Sequence, residues 1–305
     1  MNKITYLDGI RWHRALIAGS NNVLSRQEYL NKINVFPVPD GDTGTNMAFT
    51  LTSILESTMG KIHPHADKML AHIADAALDG ARGNSGVILA QFFQGLSDGA
   101  EGMIKMTPEN FAKAVKCGSE YARKALATPK EGTILTVITD FSNHIIKLVE
   151  SNNLDFVSVL EMGINEAEKS LQNTPNLLPI LKKSGVVDAG AQGFVDLLNG
   201  IFDFVNNGNL QDFKIKSKSQ KKSINEINAN IEFENSTFRY CTECLIQGEN
   251  IIHDKLRETL QTYGDSLVIA GSKQKAKVHI HVNNPSEIYK ICTTFGIVSG
   301  EKADD

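Results

Sequence analysis

The 305-residue sequence predicts two folded parts: an all-α N-terminal region of about eight amphipathic helices and a small C-terminal α+β domain. Three observations carry this. Apolar residues recur at spacings of three and four through residues 1–206. No strand–helix alternation occurs there, which argues against a parallel nucleotide-binding sheet. A polar stretch at 207–235, dominated by Lys, Asn, Ser and Gln, then reads as a solvated linker before a strand-like remainder at 236–305. The length agrees, since a domain takes roughly 150 residues.

In chain order, helical periodicity covers 9–31, 45–57, 66–78, 84–96, 107–127, 133–150, 155–171 and 189–204. The segment at 107–127 shows the pattern best. Thr107 is placed to cap it and Pro108 to open its first turn. Phe111, Ala114, Val115, Tyr121, Ala122, Ala125 and Leu126 form its apolar stripe. The Lys cluster of the linker (Lys214, Lys216, Lys218, Lys221, Lys222) reads as solvated. In the last part, strands are expected at 238–247, 266–270 and 276–282, with helices at 251–263 and 285–294. The end, EKADD, offers no closing element, so one sheet edge is expected to stay open.

Composition narrows the function. Lys plus Arg is 31 and Asp plus Glu 35, a net charge of −4, which argues against a general nucleic-acid binder. Hydrophobic residues make up 41%, too many for a disordered chain. No apolar run approaches the roughly 20 residues of a membrane span. The start, MNKITYLDGIRWHR, is charged at once and is no secretory signal. Four cysteines make no disulfide framework, so the expectation is a cytoplasmic protein with reduced thiols.

The most informative segment is NVFPVPDGDTGTNM at 34–47. Pro37 and Pro39 stiffen it. Asp40 and Asp42 flank Gly41, and carboxylates this close repel unless a cation lies between them. Their hard oxygens suit Mg²⁺. Gly44 lets backbone approach a ligand, and Thr43, Thr45 and Asn46 add polar groups where a helix begins, a seat for phosphate. An EF-hand is rejected, because Gly44 and Leu51 stand where Asp or Asn and Glu are needed. No Walker A Gly-Lys-Ser/Thr occurs. The competing reading is a polar turn capped by Asp40.

GARGNSG at 80–86 places Arg82, Asn84 and Ser85 among glycines that include Gly86. Its N–H groups and Ser85 suit phosphate oxygens, and Arg82 can offset phosphate charge. An ordinary helix–helix turn is the alternative. EGTILT puts Thr133 at a helix start, and SGVVDAGAQG puts Asp188 and Gly190 before the last helix. In the C-terminal domain, Cys241 lies in one strand, and alternation puts His279 and His281 on one face of another. One thiolate and two imidazoles suit Zn²⁺, with a fourth place for water, a carboxylate or a partner. Cys244 is left out, because residues three apart in a strand face opposite sides. The other histidines (His13, His63, His65, His72, His144, His253) have no clustered partners.

These segments, with YCTE and KVHIHV, resemble the fatty acid kinase ATP-binding subunits. The N-terminal domain of that family is similar to the nucleotide-binding subunit of dihydroxyacetone kinases. The resemblance implies a barrel of amphipathic helices with ATP and Mg²⁺ at one end. Asp40 and Asp42 would hold the metal. Asn34 is at the position comparable to a further Asp of the dihydroxyacetone kinases and is counted with the Mg²⁺ candidates. Thr45, Asn46, Ser85 and Gly86 would cradle phosphates, with Thr133, Asp188 and Gly190 near the nucleotide. Cys241, His279 and His281 are supported as zinc ligands.

The implied reaction phosphorylates a fatty acid carboxylate, presented by a DegV-like carrier protein, to an acyl phosphate. A carboxylate with a pKa of about 4–5 is ionised at neutral pH and needs no general base. Alternatives are a nucleotide-binding regulatory module without turnover, and a kinase of a small hydroxylated substrate; the middle-domain match argues against the latter. Family members run on into a carrier-binding domain, so residues 1–305 alone are expected to bind nucleotide with weak or no turnover. A homodimer is left open.

Overall fold

The computed structural model describes residues 4–151, 154–207 and 238–304. The linker expected at 207–235 lies, apart from Asn207, outside the described residues. The first part runs β1 (Leu7–Asp8), α1 (Gly9–Ser25), α2 (Gln27–Lys32), α3 (Thr43–Thr58), α4 (Ala66–Gly80), α5 (Gly83–Asp98), β2 (Lys105–Met106), α6 (Pro108–Ala125), α7 (Ile134–Ser151), α8 (Phe156–Leu177), α9 (Pro179–Ser184) and α10 (Ala189–Asn207). The second runs β3 (Tyr240–Gln247), α11 (His253–Leu260), β4 (Asp265–Gly271), β5 (Lys275–Val282), α12 (Pro285–Cys292) and β6 (Ile297–Asp304).

The longer helices of the first part pack in sequence order from α3 to α8, and α10 returns to lie on both α8 and α1. The result is a closed helical ring. Its interior is apolar because each helix turns one stripe inward. Phe141, Phe156 and Phe194 are fully buried there. Phe194 meets Phe92 edge-on at 5.4 Å and Phe141 at 6.0 Å. Burying one such ring contributes roughly 1.5–3 kcal/mol. Thr107 caps α6 as expected, accepting from Asn110 N at 3.4 Å, with Pro108 at the first position.

Among the described residues, two helices exceed the eight expected. The stretch at 9–31 breaks at Arg26 into α1 and α2. No Gly or Pro marks the break; it coincides with a salt bridge from Arg26 to the buried Asp196 of α10, 2.9 Å. The short α9 opens on Pro179 and ends at Gly185 in the left-handed conformation, a common helix stop.

The second part is an antiparallel sheet of order β4-β5-β3-β6. The strand β6 corrects the expectation of an end without a closing element: it pairs along β3 with a register shift between Glu243 and Leu245. Its residues IVSGEKAD are nearly all exposed, so side-chain alternation does not announce it. One face of β3 and β5 is apolar and packs Cys244, Ile246, Val278 and Ile280 with Leu256 of α11 and Ile288 of α12. The opposite face turns toward the helical ring.

The sheet docks on that ring. Ala127 N donates to Leu267 O at 3.4 Å, and Arg257 Nη1 donates to Ala125 O at 3.1 Å. Lys275 reaches Asp75 at 2.9 Å and Asp79 at 2.5 Å on α4. Val268 and Ala270 of β4 are buried in the same core as the ring helices. Among the described residues, no helix is long and apolar enough to cross a membrane.

Candidate functional site

Two adjoining chambers lie between the helical ring and the sheet. One, of about 330 Å³, has apolar walls from Ile88, Leu126, Ile134 and Leu267, with Thr133, Asp188 and Gly190 also on its lining. The other, of about 360 Å³, is polar and is lined by Asp40, Asp42 and Arg82 on one side and Cys241, His279 and His281 on the other. Pro37, Thr43, Asn84 and Ser85 line both chambers and form the seam.

The polar chamber begins with the loop before α3. Asn34 organises it. Its Nδ2 donates to Val38 O at 2.7 Å and to Asp40 Oδ1 at 3.2 Å, while its Oδ1 accepts from Thr43 Oγ1. Burial and the adjacent Asp42 charge push the Asp40 carboxyl up to about 6. A cation between the two carboxylates would relieve that repulsion. Arg82, at the N-cap of α5, stacks its guanidinium 3.9 Å over the Phe49 ring. In the first turn of α5, Asn84 Oδ1 is buried with no hydrogen-bond partner among the described residues, an acceptor that a ligand would satisfy.

Several expected phosphate contacts face elsewhere. Thr45 Oγ1 accepts from Asn31 Nδ2 at 2.9 Å and Gln27 Nε2 at 3.1 Å, and Thr45 N donates to Asn31 Oδ1 at 3.0 Å. Thr45 thus locks α2 to α3. Gly44 and Gly86 permit close packing: a Cβ at Gly44 would stand 2.2 Å from Gln27 O, and one at Gly86 2.7 Å from Thr50 Oγ1. None of the three lines either chamber. Asn34 lines the polar chamber beside Asp40 and Asp42, and its Oδ1, which accepts from Thr43, keeps a second lone pair. Asn46 and Thr43 do line the polar chamber.

On the apolar side, Asp188 is a double cap. Its Oδ1 accepts from Ile134 N at 2.9 Å and Ala191 N at 2.8 Å, fixing the starts of α7 and α10. Full burial raises its pKa to about 6 despite those N–H groups. An acid raised above its unfolded value of 3.8 loses stability as pH rises between the two values. Asp188→Ala is expected to cost about 2–3 kcal/mol, one cap bond at each helix. Asp188→Asn, which keeps an acceptor, should cost less; urea unfolding measures both. At Gly190, an added Cβ would lie 3.4 Å from Ser85 Oγ, so the start of α10 abuts the glycine loop.

The sheet supplies the opposite wall. In the register of β3 and β5, Cys241 pairs with His281 and Glu243 with His279. The ligand atoms of Cys241, His279 and His281 all lie within 4.8 Å of one another. Cys241 Sγ is 3.8 Å from His279 Nδ1. Burial disfavours the thiolate, but hydrogen bonds from His279 and His281 outweigh it and hold Cys241 down to about 7. Each imidazole also meets a carboxylate: His279 Nδ1 is 3.1 Å from Glu243 Oε1, and His281 Nδ1 is 3.3 Å from Asp265 Oδ1. A histidine that holds a metal through one ring nitrogen usually gives its other N–H to a carboxylate, which Asp265 and Glu243 could accept if Nε2 of each ring were the ligand atom. Cys244 lies on the other, apolar face, as alternation requires.

Sequence reading missed Glu243, Asp265, Lys130, Lys302 and Asp304, which also line the chambers. Glu243 was accessible, since it stands two residues after Cys241 and so on the same strand face. Asp265 needed the strand register.

The helical part shares its fold with a dihydroxyacetone kinase from C. freundii, solved in complex with AMP-PNP and Mg²⁺. The TM-score is 0.50 at 17% identity, over 66% of this chain and 35% of that one. The fold is therefore that of a dihydroxyacetone-kinase-type helical domain. Residues 37–203 match the DAK2 domain model, and residues 237–305 match the middle domain of the FakA-like fatty acid kinase family. The chain belongs to the DAK2 domain family and carries that middle domain behind it. Similar full-length proteins include uncharacterized proteins of Staphylococcus saprophyticus, 34% identical over 299 residues, and Staphylococcus haemolyticus, 33% identical over 299. Each alignment covers 96% of this chain and 54% of the relative, so the chain spans about half the length of these relatives.

Proposed function

We propose that this chain is the nucleotide-binding part of a kinase that transfers the γ-phosphoryl group of ATP to the carboxylate of a fatty acid held by a DegV-like carrier. The observation that carries it is the divided cleft: an apolar chamber sized for a base, a seam of Thr43, Asn84 and Ser85, and a polar chamber with paired carboxylates. The base and sugar would occupy the first, near Ile88, Leu126 and Leu267. Phosphates would lie along the seam against the first turn of α5, where N–H groups and positive potential favour anions. Asp40 and Asp42 fit Mg²⁺, which supplies charge neutralisation for the transferring group. Arg82 adds a further positive charge on the same side.

Cys241, His279 and His281 fit Zn²⁺, by donor type and by spacing. The acceptor carboxylate is already ionised, so it attacks the γ-phosphorus directly. A new oxygen–phosphorus bond forms, the bond to the β-phosphate oxygen breaks, and ADP leaves. The work left to the protein is alignment and charge stabilisation. The middle-domain match supports the fatty acid substrate.

The test offers the chain ATP, Mg²⁺ and a fatty-acid-loaded DegV-like protein, and traps acyl phosphate as its hydroxamate. Saturable Mg²⁺-dependent binding of AMP-PNP is expected, with turnover weak in residues 1–305 and stronger in a chain of the relatives' full length. Phosphorylation of dihydroxyacetone in place of the fatty acid would overturn the substrate reading.

A further inference from the structure

Glu243 occupies an unusual position. Its Oε1 accepts from the backbone N–H of Gly83 at 3.0 Å and lies 3.1 Å from His279 Nδ1; its Oε2 is 3.6 Å from Lys277 Nζ. The carboxylate is 6% exposed. Gly83 is the first residue of α5, and the N-cap residue before it, Arg82, makes no side-chain cap bond. A helix start leaves such N–H groups without intrahelical acceptors. Here the acceptor comes from another domain: β3 of the sheet caps the helix that carries Asn84 and Ser85. The contact at Gly83 thus ties the sheet to the start of the helix whose Asn84 and Ser85 line the cleft.

The same carboxylate oxygen that fixes the helix start also touches one of the zinc candidates. Two sites that share one buried side chain are coupled if its position differs between their occupied and empty states. His279 Nδ1 faces Glu243 Oε1 at 3.1 Å, so a metal held through Nε2 would leave the Nδ1–H on Glu243 and fix that carboxylate together with the ring. Fixing Glu243 in turn fixes Gly83 and the start of α5.

We propose that Glu243 is a positioning residue that couples zinc binding at Cys241, His279 and His281 to nucleotide binding at the glycine loop, so that each ligand tightens the other. The inference rests on the zinc and nucleotide readings given above. Coupling of this kind is reciprocal, so it is measurable from either side.

The experiment measures zinc affinity by competition with a chromophoric chelator, at fixed Mg²⁺, with and without saturating AMP-PNP. In the unaltered chain the nucleotide is expected to tighten zinc about tenfold, within the usual range of 5–150-fold for coupled sites. Glu243→Ala removes both contacts, and Glu243→Asp keeps the charge on a side chain too short to span them. Each variant should still bind zinc and AMP-PNP, with the ratio reduced to about twofold or less. A merely structural role would weaken both ligands and leave the ratio intact. Zinc affinity in the unaltered chain that is indifferent to nucleotide would overturn the coupling while leaving the zinc reading standing. Retention of the full ratio by both variants would overturn the role of Glu243. Failure of the unaltered chain to bind zinc would overturn the zinc reading itself.

Discussion

Replacing Asp40 and Asp42 together by alanine is expected to weaken Mg²⁺–AMP-PNP binding by roughly 100-fold or more, since even outer-shell changes at metal sites cost about 10–100-fold. The pair lines the polar chamber next to the seam, and the strain on it is electrostatic. Burial and the Asp42 charge already raise Asp40 to about 6, so the two carboxylates are costly neighbours without a cation. Removing them should therefore leave the fold intact and even ease repulsion. Calorimetric titration with and without Mg²⁺ checks the point: the variant should lose the Mg²⁺-dependent part of the affinity. Unchanged affinity in Mg²⁺ would remove the metal-site reading.

Cys241→Ala combined with His281→Ala is expected to abolish tight zinc binding, with content falling from about one ion per chain to near none, because His279, the one ligand left of the three, cannot hold a tetrahedral site. Both side chains are partly accessible at the chamber wall, whereas His279 is buried beneath them. The double variant thus keeps the His279–Glu243 pair and the cap on Gly83. Elemental analysis of protein prepared in zinc, alongside a thermal melt, separates metal loss from unfolding. Equal zinc content in the variant would show that the cluster is not the binding site.

How much of this was legible in the sequence depended on whether a feature was local. Helices such as α6 and α7 announce themselves by apolar spacing, and Thr107 with Pro108 marks a start within one residue. The strands β3, β4 and β5 were readable as short strand-like runs, and alternation separated Cys241 from Cys244. What long-range pairing decides was not. The break at Arg26 coincides with an ion pair to Asp196, 170 residues away. The strand β6 exists because β3 offers it a free edge, and its own side chains barely matter to that.

The candidate site divides in the same way. Asp40, Asp42, Asn84 and Ser85 were chosen by residue chemistry and reach the cleft. Thr45 was chosen for the same reason but is drawn off by Asn31 and Gln27, partners that only the packing of α2 on α3 supplies. That the Mg²⁺ and Zn²⁺ candidates face one chamber follows from the docking of the sheet on the ring, and no single motif contains it.

The strand β6 has a practical consequence. Lys302 and Asp304, near its end, line the rim of the polar chamber. Anything attached after Asp304 therefore sets out from the mouth of the cleft. An affinity tag there risks crowding the nucleotide, whereas a small fluorophore at that point would sit close enough to sense occupancy directly.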